Sequence, residues 1–127
     1  MKTSYFANIK NLPDGANLIS IARGNPSWYR GKTYLPLAPS WELIKKTGFP
    51  EPYSTKYCEQ VLNKLNPAEV MAEIGEDAIL LCWEKPGDFC HRRIVAEWLE
   101  KSLGIKVPEF ENQVILTKKG NGQRSLF

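Results

Sequence analysis

Residues 78–99, AILLCWEKPGDFCHRRIVAEWL, predict a strand, a loop and a helix in succession. The run 78–81 is continuously apolar, which favours a strand buried on both faces over a half-exposed one. Pro86 and Gly87 then break the strand pattern, as turn-forming residues do. The fold therefore depends on a buried strand that leads, through a short loop, into a helix.

The helix of this unit has recognisable boundaries. Asp88 suits its N-terminal cap, and Gly104 suits its C-terminal end. Apolar residues recur between them at helical spacing, namely Ile94, Val95, Trp98 and Leu99. This assignment places Cys90, His91 and Arg92 in the first turn.

The first turn is where chemistry is expected. Unpaired amides at a helix N-terminus favour negative charge, and a cysteine there tends to have its thiolate stabilised. Cys90 is therefore a candidate nucleophile, Glu84 or His91 a candidate proton-transfer group, and Arg92 a candidate phosphate ligand. The alternative is structural, because His91 shares a helix face with apolar residues and could be a packed, hydrogen-bonded core histidine.

The same segment resembles a known family. Residues 81–84, Leu-Cys-Trp-Glu, followed by 90–92, Cys-His-Arg, are similar to the signature of the family catalogued as domain of unknown function 488. Residues 19–23 sit where that family has a strand ending in Val-Arg, and residues 34–37 where it has a Tyr-Leu-x-Leu strand. The resemblance covers roughly residues 4–110 and implies an α/β fold with a functional site, but no particular reaction.

The remaining pattern predicts an α/β fold. Five segments read as strands: residues 5–9, 18–22, 34–37, 78–83 and 105–110. Helices are expected after Ser54 and after Asn66, where an Asn-Pro start is followed by Gly75 as a stop. We expect a single compact domain over residues 1–110, with a mostly parallel sheet of about five strands, strand 78–83 at its centre and helices on both faces.

Composition favours a cytoplasmic protein. No apolar run approaches the roughly 20 residues that span a bilayer, and the first residues lack the apolar core of a secretion signal. The three cysteines, Cys58, Cys82 and Cys90, are expected to be reduced thiols. A zinc site would have to be assembled from Cys82, Cys90, His91 and Glu84 without any Cys-x-x-Cys pair, so neither a metal nor a cofactor is predicted.

The charge is unevenly distributed. Residues 1–49 hold seven Lys and Arg against two Asp and Glu, whereas residues 50–110 hold seven against eleven. Basic and aromatic residues alternate in the first segment around Arg23 and Tyr29, as phosphate contact and base stacking require. The alternative is that the aromatic residues cover the core while the charges are solvated.

These observations predict one shared site. Because parallel strands end at the same edge of a sheet, we expect these side chains to converge beside the loop 24–30: Arg23, Cys82, Glu84, Cys90, His91 and Arg92. Asn25 and Tyr29 of that loop are assigned to substrate binding with Arg23, Cys82 and Arg92. Two functions remain open, an enzyme acting on a nucleotide or nucleic acid, and a non-catalytic module that binds one.

Residues 111–127 are predicted to form a flexible tail. Its residues 123–127, Gln-Arg-Ser-Leu-Phe, are similar to the peptide with which bacterial replication and repair proteins bind the DNA sliding clamp. A glycine-containing tether allows such a segment to reach a groove, and adjacent apolar side chains anchor it. Gln123, Ser125, Leu126 and Phe127 are the predicted contacts with the clamp.

Overall fold

The computed structural model describes residues 1–84 and 90–112. Within them, the strands and α-helices are β1 (Lys2–Tyr5), β2 (Asn17–Ser20), β3 (Lys32–Thr33), α1 (Trp41–Lys46), α2 (Tyr53–Gln60), α3 (Pro67–Ile74), β4 (Ala78–Cys82) and α4 (His91–Leu103). Three short 3₁₀ helices complete this set: Phe6–Asn11, Leu35–Leu37 and Leu62–Lys64. None of the helices in these ranges has the length and apolar content that a membrane-spanning helix requires.

The strands form one parallel sheet in the order β1-β4-β2-β3. Leu80 of β4 lies opposite Thr3 on one side and Ile19 on the other. All five residues of β4 are buried, as the continuous apolar run requires of a strand covered on both faces. The predicted α/β class, the parallel pairing and the central position of this strand are confirmed.

The two faces of the sheet are covered differently. Side chains of all four α-helices pack on the face that carries Ile19 and Leu80. The opposite face, with Ile79 and Leu81, is covered by the 3₁₀ helix Phe6–Asn11 and by Tyr29 from the loop after β2. The expected α-helices on both faces are thus replaced, on one face, by a 3₁₀ helix and a loop, because only a short connection joins β1 to β2.

The described residues contain four strands, not five, and proline explains both wrong assignments. The predicted strand 34–37 contains Pro36, and its residues Leu35–Leu37 form a 3₁₀ helix, while the third strand lies just before them. Residues 105–110 contain Pro108 and contribute a single bridge between Glu109 and Thr3. Proline has no N–H to donate to a strand ladder, so neither segment forms regular pairing.

The first strand is also shifted from its predicted position. It ends at Tyr5, and the chain then turns into the 3₁₀ helix Phe6–Asn11 rather than remaining extended to residue 9. The Asn8 side chain donates to Ser4 Oγ at 3.1 Å, and Asn11 donates to Asn8 Oδ1 at 2.8 Å. Short polar side chains of this kind compete with strand pairing and favour turns.

The helix assignments largely hold. α3 begins after Asn66, whose Oδ1 accepts from the amides of Ala68 and Glu69, and ends at Gly75 with φ 96°. α4 begins at His91, with Cys90 immediately before it, so the cysteine occupies the cap position rather than the first turn. Asp88, the predicted cap, lies outside the described residues. α1 was not predicted.

Candidate active site at the carboxyl ends of strands β2 and β4

A cavity of about 530 Å³ lies where β2 and β4 end. Ligand sites of α/β sheets commonly occupy this position, because loops that leave neighbouring parallel strands meet there. Its lining comes from the segments that follow β2 and end β4, the start of α4, and helices α1 and α2 with the residues beside them: Ala22, Arg23, Gly24, Pro39, Trp41, Ile44, Phe49, Tyr53, Cys82, Trp83, Glu84, Cys90 and His91. The structure thus brings together five of the six side chains predicted to converge.

Two cysteines and a histidine form the floor of the cavity. Cys82 is the last residue of β4, and Cys90 and His91 start α4; all three are buried. The Cys82 and Cys90 sulfurs, which the sequence predicts to be reduced thiols, are close enough to be joined as a disulfide, because the strand end and the helix start bring them together. In the described part of the chain, donor atoms of these three residues all lie within 4.8 Å of one another, so with both cysteines reduced they could hold a metal ion.

His91 has a defined tautomer. Its Nε2 lies 2.7 Å from the carbonyl oxygen of Ile21, and because a carbonyl can only accept, Nε2 must carry the proton. Nδ1 therefore keeps its lone pair and lies 3.9 Å from Cys90 Sγ. Burial, with a smaller contribution from the nearby Arg92 charge, lowers the pKa of His91 to about 4, so the ring is neutral at physiological pH.

Exposed aromatic side chains form the walls. Trp41, Phe49 and Trp83 each leave slightly more than half of their surface accessible, although all three line the cavity. Trp83 is held in place because its Nε1 donates to the Gly24 carbonyl at 2.8 Å. Gly24 also admits the Trp41 ring, since a Cβ there would lie 3.2 Å from that ring.

Arg23 and Glu84 bring opposite charges to the cavity. Arg23 Nε donates to the Pro39 carbonyl at 2.8 Å and Nη2 to the Ala38 carbonyl at 3.3 Å, which fixes the guanidinium. Glu84 is exposed, and its charge adds to burial in raising the pKa of Tyr53 above the ordinary value. The cavity thus has a positioned cation, an exposed carboxylate and an uncharged phenol beside its floor.

Arg92 does not line the cavity. It is 1% exposed and forms a two-bonded ion pair with Glu109, at 3.0 Å for each bond. Its Nη1 donates to Cys82 Sγ at 3.1 Å and to the Glu84 carbonyl, and its guanidinium lies 5.8 Å from the Tyr5 ring centre. Arg92, expected to bind phosphate with the other site residues, is instead buried outside the cavity lining, and its described contacts are those of a residue that holds the site together.

The other predicted ligands lie elsewhere. Asn25 is bonded to Ser20 and, at 2.9 Å, to Thr33, so it links the ends of β2 and β3. Tyr29 is buried against the second face of the sheet, where its hydroxyl donates to the Lys32 carbonyl at 2.6 Å, and burial raises its pKa to about 12. Neither residue lines the cavity. Residues 123–127 lie outside the described part of the chain.

The aromatic walls were missed from the sequence. Trp83 directly follows the buried strand and Trp41 directly follows Ser40, which caps α1 by accepting from the Leu43 amide at 3.0 Å. The sequence Pro-Ser-Trp-Glu carries this helix start signal, a capping serine before an acidic first turn. Phe49 and Tyr53 have no comparable local signal, because their position depends on how α1 and α2 pack.

Comparisons with protein-family models, with curated proteins and with solved structures found no match to this chain.

Proposed function

We propose that this protein binds a nucleotide or a base of a nucleic acid in the cavity at the ends of β2 and β4, and acts on it at the floor formed by Cys82, Cys90 and His91. The observation that carries the proposal is the combination of three exposed aromatic side chains with a buried, chemically capable floor. The non-catalytic alternative uses the same cavity for binding alone.

The aromatic walls support a flat ligand. Among the described residues, five large hydrophobic side chains are exposed, and three of them, Trp41, Phe49 and Trp83, surround this one cavity. A monomeric protein gains no stability from leaving such surface in water, whereas base stacking on an aromatic side chain contributes about 1–3 kcal/mol. The cavity volume also falls in the range of small-molecule sites.

Positive charge next to the walls supports a phosphate-bearing ligand. Among the described contacts of Arg23, Nε and Nη2 donate to carbonyls, and Nη1 remains able to donate to an anion. Lys45 Nζ lies 5.5 Å from the centre of the Trp41 ring. We assign phosphate contact to Arg23 in place of Arg92, which is engaged by Glu109.

The floor and Glu84 supply the groups for chemistry. His91 presents a neutral Nδ1 lone pair, Cys90 a sulfur, and Glu84 an exposed carboxylate, which together are the side chains of general acid-base or covalent catalysis. In the disulfide state Cys90 cannot act as a nucleophile, so this role requires the reduced pair. Glu84 is the proposed proton-transfer group in either state.

The test measures equilibrium binding of nucleoside monophosphates and of a short oligothymidylate to the full chain, with fluorescence polarisation or calorimetry as the readout. Trp41→Ala should weaken affinity by about 5- to 150-fold, which corresponds to the loss of one stacking contact. Trp28→Ala is the matched control, because Trp28 has the same exposed fraction, 53%, and lines a different cavity. The affinity of Trp28→Ala for the same ligands should differ from that of the wild type by less than twofold.

Two results would contradict the proposal: no binding of any of these ligands at millimolar concentration, or an equal loss in both variants. Turnover of a bound nucleotide that is abolished in Glu84→Gln, with affinity retained, would favour the enzyme. Binding without turnover would favour the non-catalytic module.

We also propose that residues 123–127 recruit this protein to a bacterial DNA sliding clamp, on the strength of the motif alone.

A further inference from the structure

Cys82, Cys90 and His91 have the composition of a transition-metal site. Their donor atoms lie within 4.8 Å of one another, and all three side chains are buried. Thiolate and imidazole are the ligands that zinc prefers in proteins, and two cysteines with one histidine form a known catalytic set that leaves one coordination position open. The residue types and their grouping are therefore those of a zinc centre.

The orientation of His91 is an independent indication of a ligand. A histidine that binds metal through one ring nitrogen almost always donates the other N–H to a carbonyl or carboxylate. His91 Nε2 makes this bond to the Ile21 carbonyl at 2.7 Å, which directs the Nδ1 lone pair towards the sulfurs. In the described residues, that buried nitrogen has no contact of hydrogen-bonding length other than Cys90 Sγ at 3.9 Å.

The surroundings of the sulfurs carry balanced charge. Arg92 Nη1 donates to Cys82 Sγ at 3.1 Å, which places a positive charge beside the proposed ligands. Two thiolates neutralise one divalent cation, while Arg92 is neutralised by Glu109 at 3.0 Å. The buried charges therefore balance when the ion is bound, which avoids the cost of an unpaired buried charge.

The backbone at the two cysteines is spaced more widely than a disulfide needs. The Cα atoms of Cys82 and Cys90 are 7.2 Å apart, which is wider than the roughly 4.4–6.8 Å usual for a disulfide. A small thiol reductant converts the disulfide to two thiols by supplying two electrons and two protons. Binding of the ion then releases those two protons to solvent as the thiolates form.

We propose that, when reduced, Cys82 Sγ, Cys90 Sγ and His91 Nδ1 bind one Zn²⁺ ion whose fourth coordination position faces the cavity. This inference rests on the proposed function only for the group that occupies the fourth position, which is a water or an atom of the bound nucleotide. A zinc-bound water loses a proton far more readily than free water, and Glu84 lies on the cavity to accept it. Cys90 then acts as a metal ligand and not as a nucleophile.

The test begins with the reduced full chain, dialysed against zinc and then against buffer, with bound zinc measured by inductively coupled plasma mass spectrometry. We expect one zinc per chain, and less than a tenth of that in Cys82→Ser, Cys90→Ser and His91→Ala. Cys58→Ser is the matched control, because Cys58 is the remaining cysteine and lies in α2 away from the cavity lining. It should retain one zinc.

A second measurement needs no variant. In the reduced wild-type protein, zinc should protect two of the three cysteines from a thiol reagent, and a chelator should expose both together. Cobalt in place of zinc should give thiolate-to-metal charge-transfer bands that disappear when Cys90 is replaced.

The proposal is overturned if reduced wild-type protein binds no zinc, if Cys58→Ser loses zinc as Cys90→Ser does, or if all three cysteines react equally with and without zinc. Nucleotide binding measured in chelator, with Trp41→Ala and Trp28→Ala, is a separate readout. A protein that binds zinc but no nucleotide would contradict the proposed function alone. A protein that binds nucleotide but shows no zinc uptake would contradict this inference alone.

Discussion

Arg92 shows how one residue's environment changes the interpretation of a motif. His91 and Arg92 are adjacent in sequence, but consecutive residues of an α-helix point about 100° apart. His91 therefore forms part of the cavity floor, while Arg92 points to Glu109 in the segment after α4. The sequence predicts that the triplet lies at the helix start, but it does not say which of its side chains faces a ligand.

Arg92→Ala should destabilise the protein by about 3–5 kcal/mol. The substitution leaves the Glu109 carboxylate, whose side chain is 23% exposed, without its partner, and it removes the donor to Cys82 Sγ. Urea unfolding followed by circular dichroism measures the loss. Lys101→Ala on the same helix is the control, because its ion pair with Glu97 is exposed and should contribute no more than about 0.5 kcal/mol. A loss below about 1 kcal/mol for Arg92→Ala would mean that the pair is not structural.

At the scale of elements, short sequence signals predicted those helices and strands whose stability depends mainly on neighbouring residues. The start of α3 was predicted because Asn66, Pro67 and Glu69 each favour a helix N-terminus irrespective of the rest of the fold. The two strands that failed both depended on apolar content alone, and both contain a proline that removes a ladder donor. α1 was missed because its six residues are too few for a clear periodic pattern, and its packing against α2 decides its position.

Asn66→Ala should therefore cost about 1 kcal/mol of stability. The Asn66 side chain accepts from the Ala68 amide at 2.9 Å and from the Glu69 amide at 3.1 Å, and alanine leaves both without that acceptor. Thermal unfolding should show the loss, and Asn66→Asp should restore most of it. Asn63→Ala is the matched control, because Asn63 is also exposed and makes no side-chain hydrogen bond to the described residues. An equal loss in both alanine variants would argue against the cap.

For the whole molecule, topology was sufficient to predict that Arg23, Cys82 and Cys90 meet at one end of the sheet, where the cavity lies. The order β1-β4-β2-β3 makes β2 and β4 neighbours that run in the same direction, so Arg23 and Cys82 emerge at one edge of the sheet. The walls could not be predicted, because Phe49 and Tyr53 reach the cavity only through tertiary packing of α1 and α2. Asn25 and Tyr29 show the same limit, since they belong to the correct loop but are engaged outside the cavity.

The proposed clamp contact is a property of the whole chain that should be independent of the cavity. Recognition of this kind uses few contacts and must order the bound segment, so we expect micromolar affinity, roughly −8 kcal/mol. Replacing Leu126 and Phe127 together by alanine should abolish binding to a purified bacterial clamp, because these two side chains are the proposed apolar anchors. Cys90→Ser should bind as the wild type does, since the residues altered belong to separate sites.

A synthetic peptide of residues 119–127 separates this idea from any contribution of the α/β domain. It should displace a labelled clamp ligand with micromolar potency, while a scrambled peptide of the same composition should not displace it. Because the peptide carries the glutamine and both anchors, failure to compete at millimolar concentration would remove the clamp as a partner. Nucleotide binding at the cavity would then be the remaining link between this protein and nucleic-acid metabolism. The comparison of nucleotide affinity between Trp41→Ala and Trp28→Ala would decide whether that link holds.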